Sequence, residues 1–218
     1  MSITVVAATS HEEIYRVEDA SVGLTGFIAV HSTLLGPAAG GLRMRPYASA
    51  EEALTDVKRL SEGMTYKNAA AGLALGGGKA VIIGDPATQK TPELLRAFAR
   101  AIDSLDGRYI TAEDMGMSPE GMAILAEETT SVAGLADGEY ASGDPSPITA
   151  RGIFNAIRTA WEHKTGQIDL TDRVVSVQGL GHVGWYLCDF LNKAGAKLIV
   201  TDVNTAQVTR AVEAFGAT

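Results

Sequence analysis

Cysteine is nearly missing from this chain: of 218 residues only Cys188 carries a thiol. A disulfide framework is thereby excluded, and a reducing cytoplasm is the expected compartment. The opening MSITVVAATSHEEIY has neither the basic end nor the apolar run of a signal peptide. Long apolar stretches are also missing, none reaching the roughly 18 consecutive residues that span a bilayer, so no membrane partner is expected. Basic charge is scarce, with 18 Lys and Arg against 26 Asp and Glu and a net charge of −8. That balance argues against a broad basic face for nucleic acid. The four histidines, His11, His31, His163 and His182, show no metal-ligand spacing, so no metal is expected. His31 reads as a core residue, and Cys188, Trp161 and Trp185 read as helix packing.

Apolar side chains are not scarce. Hydrophobic residues make up 46% and charged residues 20%, ordinary for a globular protein and enough to bury a core. At about 150 residues per domain the length allows one large or two small domains. Glycine, at 24 residues, is in excess and clustered.

Strand-like runs cover Ile14 to Val17 and Leu24 to His31. Gly36-Pro37-Ala38-Ala39-Gly40-Gly41 then reads as a loop. Ser49-Ala-Glu-Glu52 is a capping box, and Ala53, Val57, Leu60 and Met64 form a helical stripe behind it. Leu73 to Ile83 reads as a strand broken by Gly76-Gly77-Gly78. Thr91 and Pro92 open a helix whose buried side is Leu95, Phe98, Ile102 and Leu105. Tyr109 to Thr111 is a short strand running into Glu113-Asp114, and Ser118-Pro119 starts another helix. Between Gly134 and Pro147 the composition turns to Gly, Asp, Ser and Pro, the expected hinge. Helix, strand, glycine-rich turn, helix and strand follow, to Thr201. This alternation predicts an α/β architecture, with domains over 1–145 and 146–218.

In the second domain Gly179-Leu180-Gly181-His182-Val183-Gly184 fits G-x-G-x-x-G. It lies between an apolar strand and a helical run, and Asp202 ends the next strand. That setting makes it a dinucleotide fingerprint and the domain a partial Rossmann unit. The first glycine permits the turn, the second admits pyrophosphate to the backbone, and the third lets helix and strand touch. Asp202 would accept hydrogen bonds from ribose hydroxyls and repel a 2′-phosphate, with no Arg or Lys in Val203-Asn204, so NAD is expected over NADP.

In the first domain one more helical step from Met64 reaches Lys67, placing an ammonium on the face that reads as core, which requires a counter-anion or a lowered pKa; the equal alternative is that Lys67 sits past a frayed helix end around Gly63 and snorkels to water. Lys79 closes Gly76-Gly77-Gly78-Lys79. A Walker A loop fails there, because Leu73 stands where glycine is needed and Ala80 where Ser or Thr is needed. Asp114 sits at a strand end, where α/β folds place catalytic groups. Two neighbouring ammonium groups lower each other's pKa, so one can fix a carboxylate while the other acts as a base, as amino-acid oxidation requires.

The segments GPAAGGLRM (36–44), EGMTYKNAAAGLALGGGKAVIIGDP (62–86), YITAEDMG (109–116), SGDPSPITARG (142–152), QGLGHVG (178–184) and TDVN (201–204) resemble the Glu/Leu/Phe/Val dehydrogenase family, its leucine dehydrogenase branch most closely. The resemblance implies NAD-dependent oxidative deamination of a hydrophobic L-amino acid to its 2-oxo acid and ammonium, in a homo-oligomer. By position it makes Lys67 the binder of the substrate carboxylate, helped by Gly40, Gly41 and Met64. Lys79 becomes the catalytic amine that activates water, Asp114 the shuttle for amino-group protons, and Thr149 a neighbour of the nicotinamide. Ala39, where leucine dehydrogenases carry a larger aliphatic residue, would enlarge the side-chain pocket toward bulkier or aromatic substrates. Family members run well past Thr218, so a fragment or truncated product is expected, and a non-catalytic binding or assembly module is the alternative function.

Overall fold

The computed structural model describes residues 1–135 and 143–218. They divide into two compact units, Met1–Gly143 and Asp144–Thr218. Of the glycine- and proline-rich stretch expected as a hinge, residues 136–142 lie outside the described residues.

The first unit is built on a six-stranded sheet: β1 (Ser2–Val5), β2 (Glu13–Asp19), β3 (Leu24–Ser32), β4 (Ala38–Arg45), β5 (Gly76–Ile83) and β6 (Tyr109–Glu113), in the order β1-β2-β3-β5-β4-β6. β1, β2, β3 and β5 pair antiparallel in sequence across the sheet, whereas β4 runs parallel to β5 and β6. Side chains alternate along a strand, so each face carries its own core. Phe27, Ala29 and Val81 belong to the cluster that also holds Ala53 and Val57 of α1 (Ala50–Ala70). Ile28, Val30, Ala80 and Ile82 lie on the opposite face, with Phe98 and Ile102 of α2 (Pro92–Asp103) and Met122 and Leu125 of α3 (Pro119–Ala126). The helices start where their caps dictate. Ser49 Oγ accepts the Glu52 N–H at 3.1 Å while Glu52 reaches back to the Ala48 N–H at 2.8 Å, and Thr91 accepts the Leu94 N–H at 3.2 Å.

Two glycine-rich stretches depart from the sequence reading. Gly40-Gly41 is strand β4 and not loop, and Gly76-Gly77-Gly78 opens β5 instead of breaking it. The cause is crowding. A Cβ on Gly77 would stand 2.0 Å from Thr65 Oγ1 and 2.2 Å from the Thr65 backbone nitrogen, so α1 lies on bare strand backbone. The stripe on α1 also differs. Its buried line is Ala53, Val57, Ser61 and Asn68, with Leu60 and Met64 only half-buried and Lys67 exposed. The helix meets the sheet through small and polar residues because the glycines below leave no room for large ones.

The second unit consists of α4 (Ser146–Thr165), β7 (Val174–Gln178), α5 (His182–Lys193), β8 (Lys197–Thr201) and α6 (Thr205–Phe215). β7 and β8 pair parallel around α5, a right-sized βαβ unit. Its core holds Phe154, Leu187, Cys188, Leu191, Leu198 and Val200, with Trp161 and Trp185 partly buried at its edge. After α6, Thr218 donates to the Leu198 carbonyl and accepts from the Val200 N–H, extending pairing along the free side of β8.

Candidate functional site

β5 delivers Lys79. It pairs across the sheet with Ala29, whose methyl lies under α1, so the lysine stem rises from the same face and is 6% exposed. Its Nζ lies 2.7 Å from Oδ2 of Asp114, the residue after the last position of β6. The backbone turns sharply behind that carboxylate at Gly116, whose φ of +83° and approach to the Met44 carbonyl, 2.0 Å from an added Cβ, leave no place for a side chain. Asp114 is held from another side by Arg43 of β4, whose Nε donates to the same Oδ2 at 2.9 Å.

The charges tune one another. Burial lowers the Lys79 ammonium below its ordinary value, Asp114 opposes this, and Arg43 and Lys67 add to the lowering. Burial alone would raise the Asp114 carboxyl, but Lys79, a hydrogen bond from the Met115 backbone and Arg43 bring it below the usual carboxylate range. The result is a sheltered lysine that surrenders its proton more readily than a solvated one, beside a carboxylate that stays ionised. Such a pair can move protons near neutral to alkaline pH.

Around this pair the glycines of β4 let neighbouring groups press directly against the backbone. A Cβ on Gly40 would stand 1.9 Å from the Gly78 carbonyl oxygen and 3.0 Å from Met64 Cγ, and one on Gly41 would stand 2.8 Å from Asp114 Cβ. Tyr109 Oη donates to the Gly40 carbonyl at 2.6 Å, pinning that stretch. Ala39 is half-buried on the same strand. Lys79, Asp114, Gly40, Gly41 and Met64 are therefore gathered in one place. Lys67 is near enough to act on Lys79 electrostatically and is exposed, as in the reading that lets it reach water and unlike the one that puts it on the core face. The helix runs unbroken through Gly63 to Ala70, and the buried position of its last turn is Asn68, whose Nδ2 donates to the Gly76 carbonyl at 2.6 Å.

Arg43, Asp56, Asn68 and Tyr109 carry weight in this region that the sequence reading did not assign. Arg43 alternates with Leu42 and Met44, and Asp56 adjoins Val57 one turn after Ala53. Both spacings mark the α1 face once 38–45 is read as strand. His31, expected in the core, is half-buried, its Nδ1 2.8 Å from Thr65 Oγ1.

In the second unit Gly179, Leu180, Gly181, His182, Val183 and Gly184 form the turn from β7 into α5. Gly179 takes φ +92°, and a Cβ on Gly184 would stand 1.9 Å from the Gly179 carbonyl oxygen. Gly181 is the N-cap of α5, with open space where its Cβ would stand. A glycine-rich turn at the head of a twelve-residue helix fits a pyrophosphate. Asp202 directly follows β8 and accepts the Leu180 N–H at 2.6 Å and the Asn204 N–H at 2.8 Å, which lowers its pKa. Its carboxylate thus braces the turn itself. Thr149 lies on an exposed side of α4, in this second unit.

The first unit thus carries a lysine–aspartate pair on its sheet, and the second a glycine-rich turn inside a βαβ unit. The chain belongs to the Glu/Leu/Phe/Val dehydrogenase family, whose dimerisation-domain model matches residues 10–131. It is 52% identical over 207 residues to leucine dehydrogenase from Geobacillus stearothermophilus, covering 95% of this chain and 56% of that protein. It is 47% identical over 212 residues to phenylalanine dehydrogenase from Caldalkalibacillus thermarum, covering 97% and 57%. Among solved structures, L-tryptophan dehydrogenase from Nostoc punctiforme is similar with a TM-score of 0.65 and 40% identity, over 96% of this chain and 58% of that one. The chain thus spans a little over half the length of the relatives it matches. No helix among the described residues is long and apolar enough to cross a membrane.

Proposed function

We propose that this chain carries the substrate-binding and catalytic part, and the first part of the coenzyme-binding domain, of an NAD-dependent dehydrogenase acting on a hydrophobic L-amino acid in a homo-oligomer. The observation that carries the reading is the 2.7 Å contact between a 6%-exposed Lys79 and Asp114, in a chain half identical to leucine dehydrogenase over most of its length. Lys67, exposed on α1, is free to take the substrate carboxylate, with Gly40, Gly41 and Met64 beside it. Lys79 Nζ, once neutral, removes a proton from the water that attacks the imine carbon. Asp114, ionised, receives and returns the proton of the amino group. Gly179, Leu180, Gly181, His182, Val183 and Gly184 would hold the NAD pyrophosphate, and Asp202 the ribose once it yields the Leu180 N–H. NAD supplies the hydride acceptor for the substrate Cα, which no side chain provides. Thr149 is assigned to the nicotinamide end by the family resemblance.

The names of the relatives favour branched aliphatic and aromatic side chains, and Ala39 favours the larger among them. The test is NADH absorbance at alkaline pH with leucine, valine, isoleucine, phenylalanine and tryptophan, repeated with NADP. Turnover with at least one of them and preference for NAD is the expected result. The alternative reading is a non-catalytic binding or assembly module. A flat trace for all five amino acids from a folded chain would select that reading.

A further inference from the structure

Arg43 lies between two carboxylates that belong to different elements. Its Nε donates to Asp114 Oδ2 at 2.9 Å, and its Nη1 donates to Asp56 Oδ2 of α1 at 3.0 Å. The guanidinium is only 16% exposed and Asp56 11% exposed. Asp56 is fixed in turn by the Tyr47 hydroxyl, at 2.9 Å on the same oxygen, and by Arg59 Nη2, at 2.9 Å on the other. The oxygen of Asp114 that meets Arg43 is also the one that meets Lys79. A planar fork that cannot lose its proton is suited to this bridging task, which a single ammonium point charge cannot reproduce.

We propose that Arg43 is a positioning residue of this site, holding the Asp114 carboxylate against the Lys79 amine by means of a second anchor on α1. The inference rests on the reading of Lys79 and Asp114 as the reactive pair. Two consequences follow from the geometry. The tie joins α1, which carries Met64 and Lys67, to β4 and through Arg43 to the reactive carboxylate. The permanent positive charge also takes a share of Asp114's field, so that Lys79 is not locked in its protonated form. The charged groups acting on Lys79 are Asp114 after β6, Arg43 of β4 and Lys67 of α1, with Asp56 of α1 reaching it only through Arg43. Glu113 precedes Asp114, Tyr109 of β6 contributes a neutral phenol, and β3 presents the uncharged Ala29.

The test follows the carboxyl carbon of Asp114 and the Nζ of Lys79 by NMR titration in the intact chain and in its Arg43→Gln and Arg43→Lys variants, with circular dichroism to confirm folding. In Arg43→Gln the Asp114 midpoint should rise by about one pH unit, the scale of a lost neighbouring guanidinium. The Lys79 midpoint should rise with it, leaving less free amine at any given pH. Arg43→Lys, which keeps the charge but not the fork, should shift Asp114 by a smaller amount in the same direction. Midpoints in folded Arg43→Gln that match the parent overturn the proposal. Should that variant not fold, parent-like midpoints in Arg43→Lys overturn it equally. The titrations need no turnover. Shifted midpoints without amino-acid oxidation would leave the role of Arg43 standing and remove the proposed activity, while turnover with unshifted midpoints would do the reverse.

Discussion

Lys79 and Asp114 show how burial turns two ordinary ionisable groups into a coupled pair. Replacing Asp114 by Asn would leave a sheltered ammonium without its counter-charge, a loss of about 3 kcal/mol at pH 7. The sign with pH is fixed by Lys79. Its folded value lies below its unfolded one, so the unpaired charge is relieved as the amine deprotonates. Urea unfolding should therefore show the Asp114→Asn deficit shrinking between pH 7 and pH 10. Asp114 itself has a lowered folded value, so its contribution in the parent is present above the ordinary carboxylate range and is lost as pH falls through that lowered value. Lys79→Ala should abolish turnover and leave NAD affinity, read by fluorescence titration, nearly unchanged, because the amine acts on substrate; equal loss of both would contradict that division of labour. Cys188 is inert by the same logic of burial, its thiol pushed up to about 11.

α1 shows what sequence periodicity conveys and what it misses. Ala53 and Val57 mark the buried face, and Ser49 with Glu52 marks the start. Past Ser61 the helix rests on glycine backbone, and there hydrophobicity no longer reports burial: Ser61 and Asn68 are buried while Leu60, Met64 and Lys67 are not fully so. The glycines of β4 and β5 misled for a related reason. Residues that elsewhere end strands are here required by the closeness of the next element. The fingerprint turn, Lys79 and Asp114 were legible because their setting in strand ends and turns is local. Arg43 and Asp56 were not, because their meeting depends on packing between β4 and α1. Two substitutions separate the glycines that α1 needs from those it merely tolerates. Gly77→Ala drives a methyl into Thr65 and should cost about 3 kcal/mol, the upper end of overpacking penalties. Gly63→Ala, on an open stretch of the same helix with nothing within 4 Å of the new methyl, should stabilise by about 1 kcal/mol. Thermal or urea unfolding distinguishes them.

The whole molecule is unequal in its two units. Met1–Gly143 has a six-stranded sheet with a core on each face, whereas Asp144–Thr218 has two strands and one core. A sheet of two strands with a small core is marginal by itself. Both tryptophans, Trp161 and Trp185, belong to the second unit. Emission should therefore change at lower urea than the far-ultraviolet circular dichroism, and amides of β7 and β8 should exchange faster than those of β3 and β5. Coincident transitions by the two probes would mean that the units unfold as one.

The bare backbone at Gly40, Gly41 and Gly77 also limits how the chain can be re-engineered. Enlarging any of these three collides with a carbonyl, with Asp114 or with α1, so variants meant to change the range of amino acids accepted have to be sought elsewhere. Ala39 on β4 and Met64 on α1, each half-buried and carrying a side chain that can be exchanged, are the two positions to vary first.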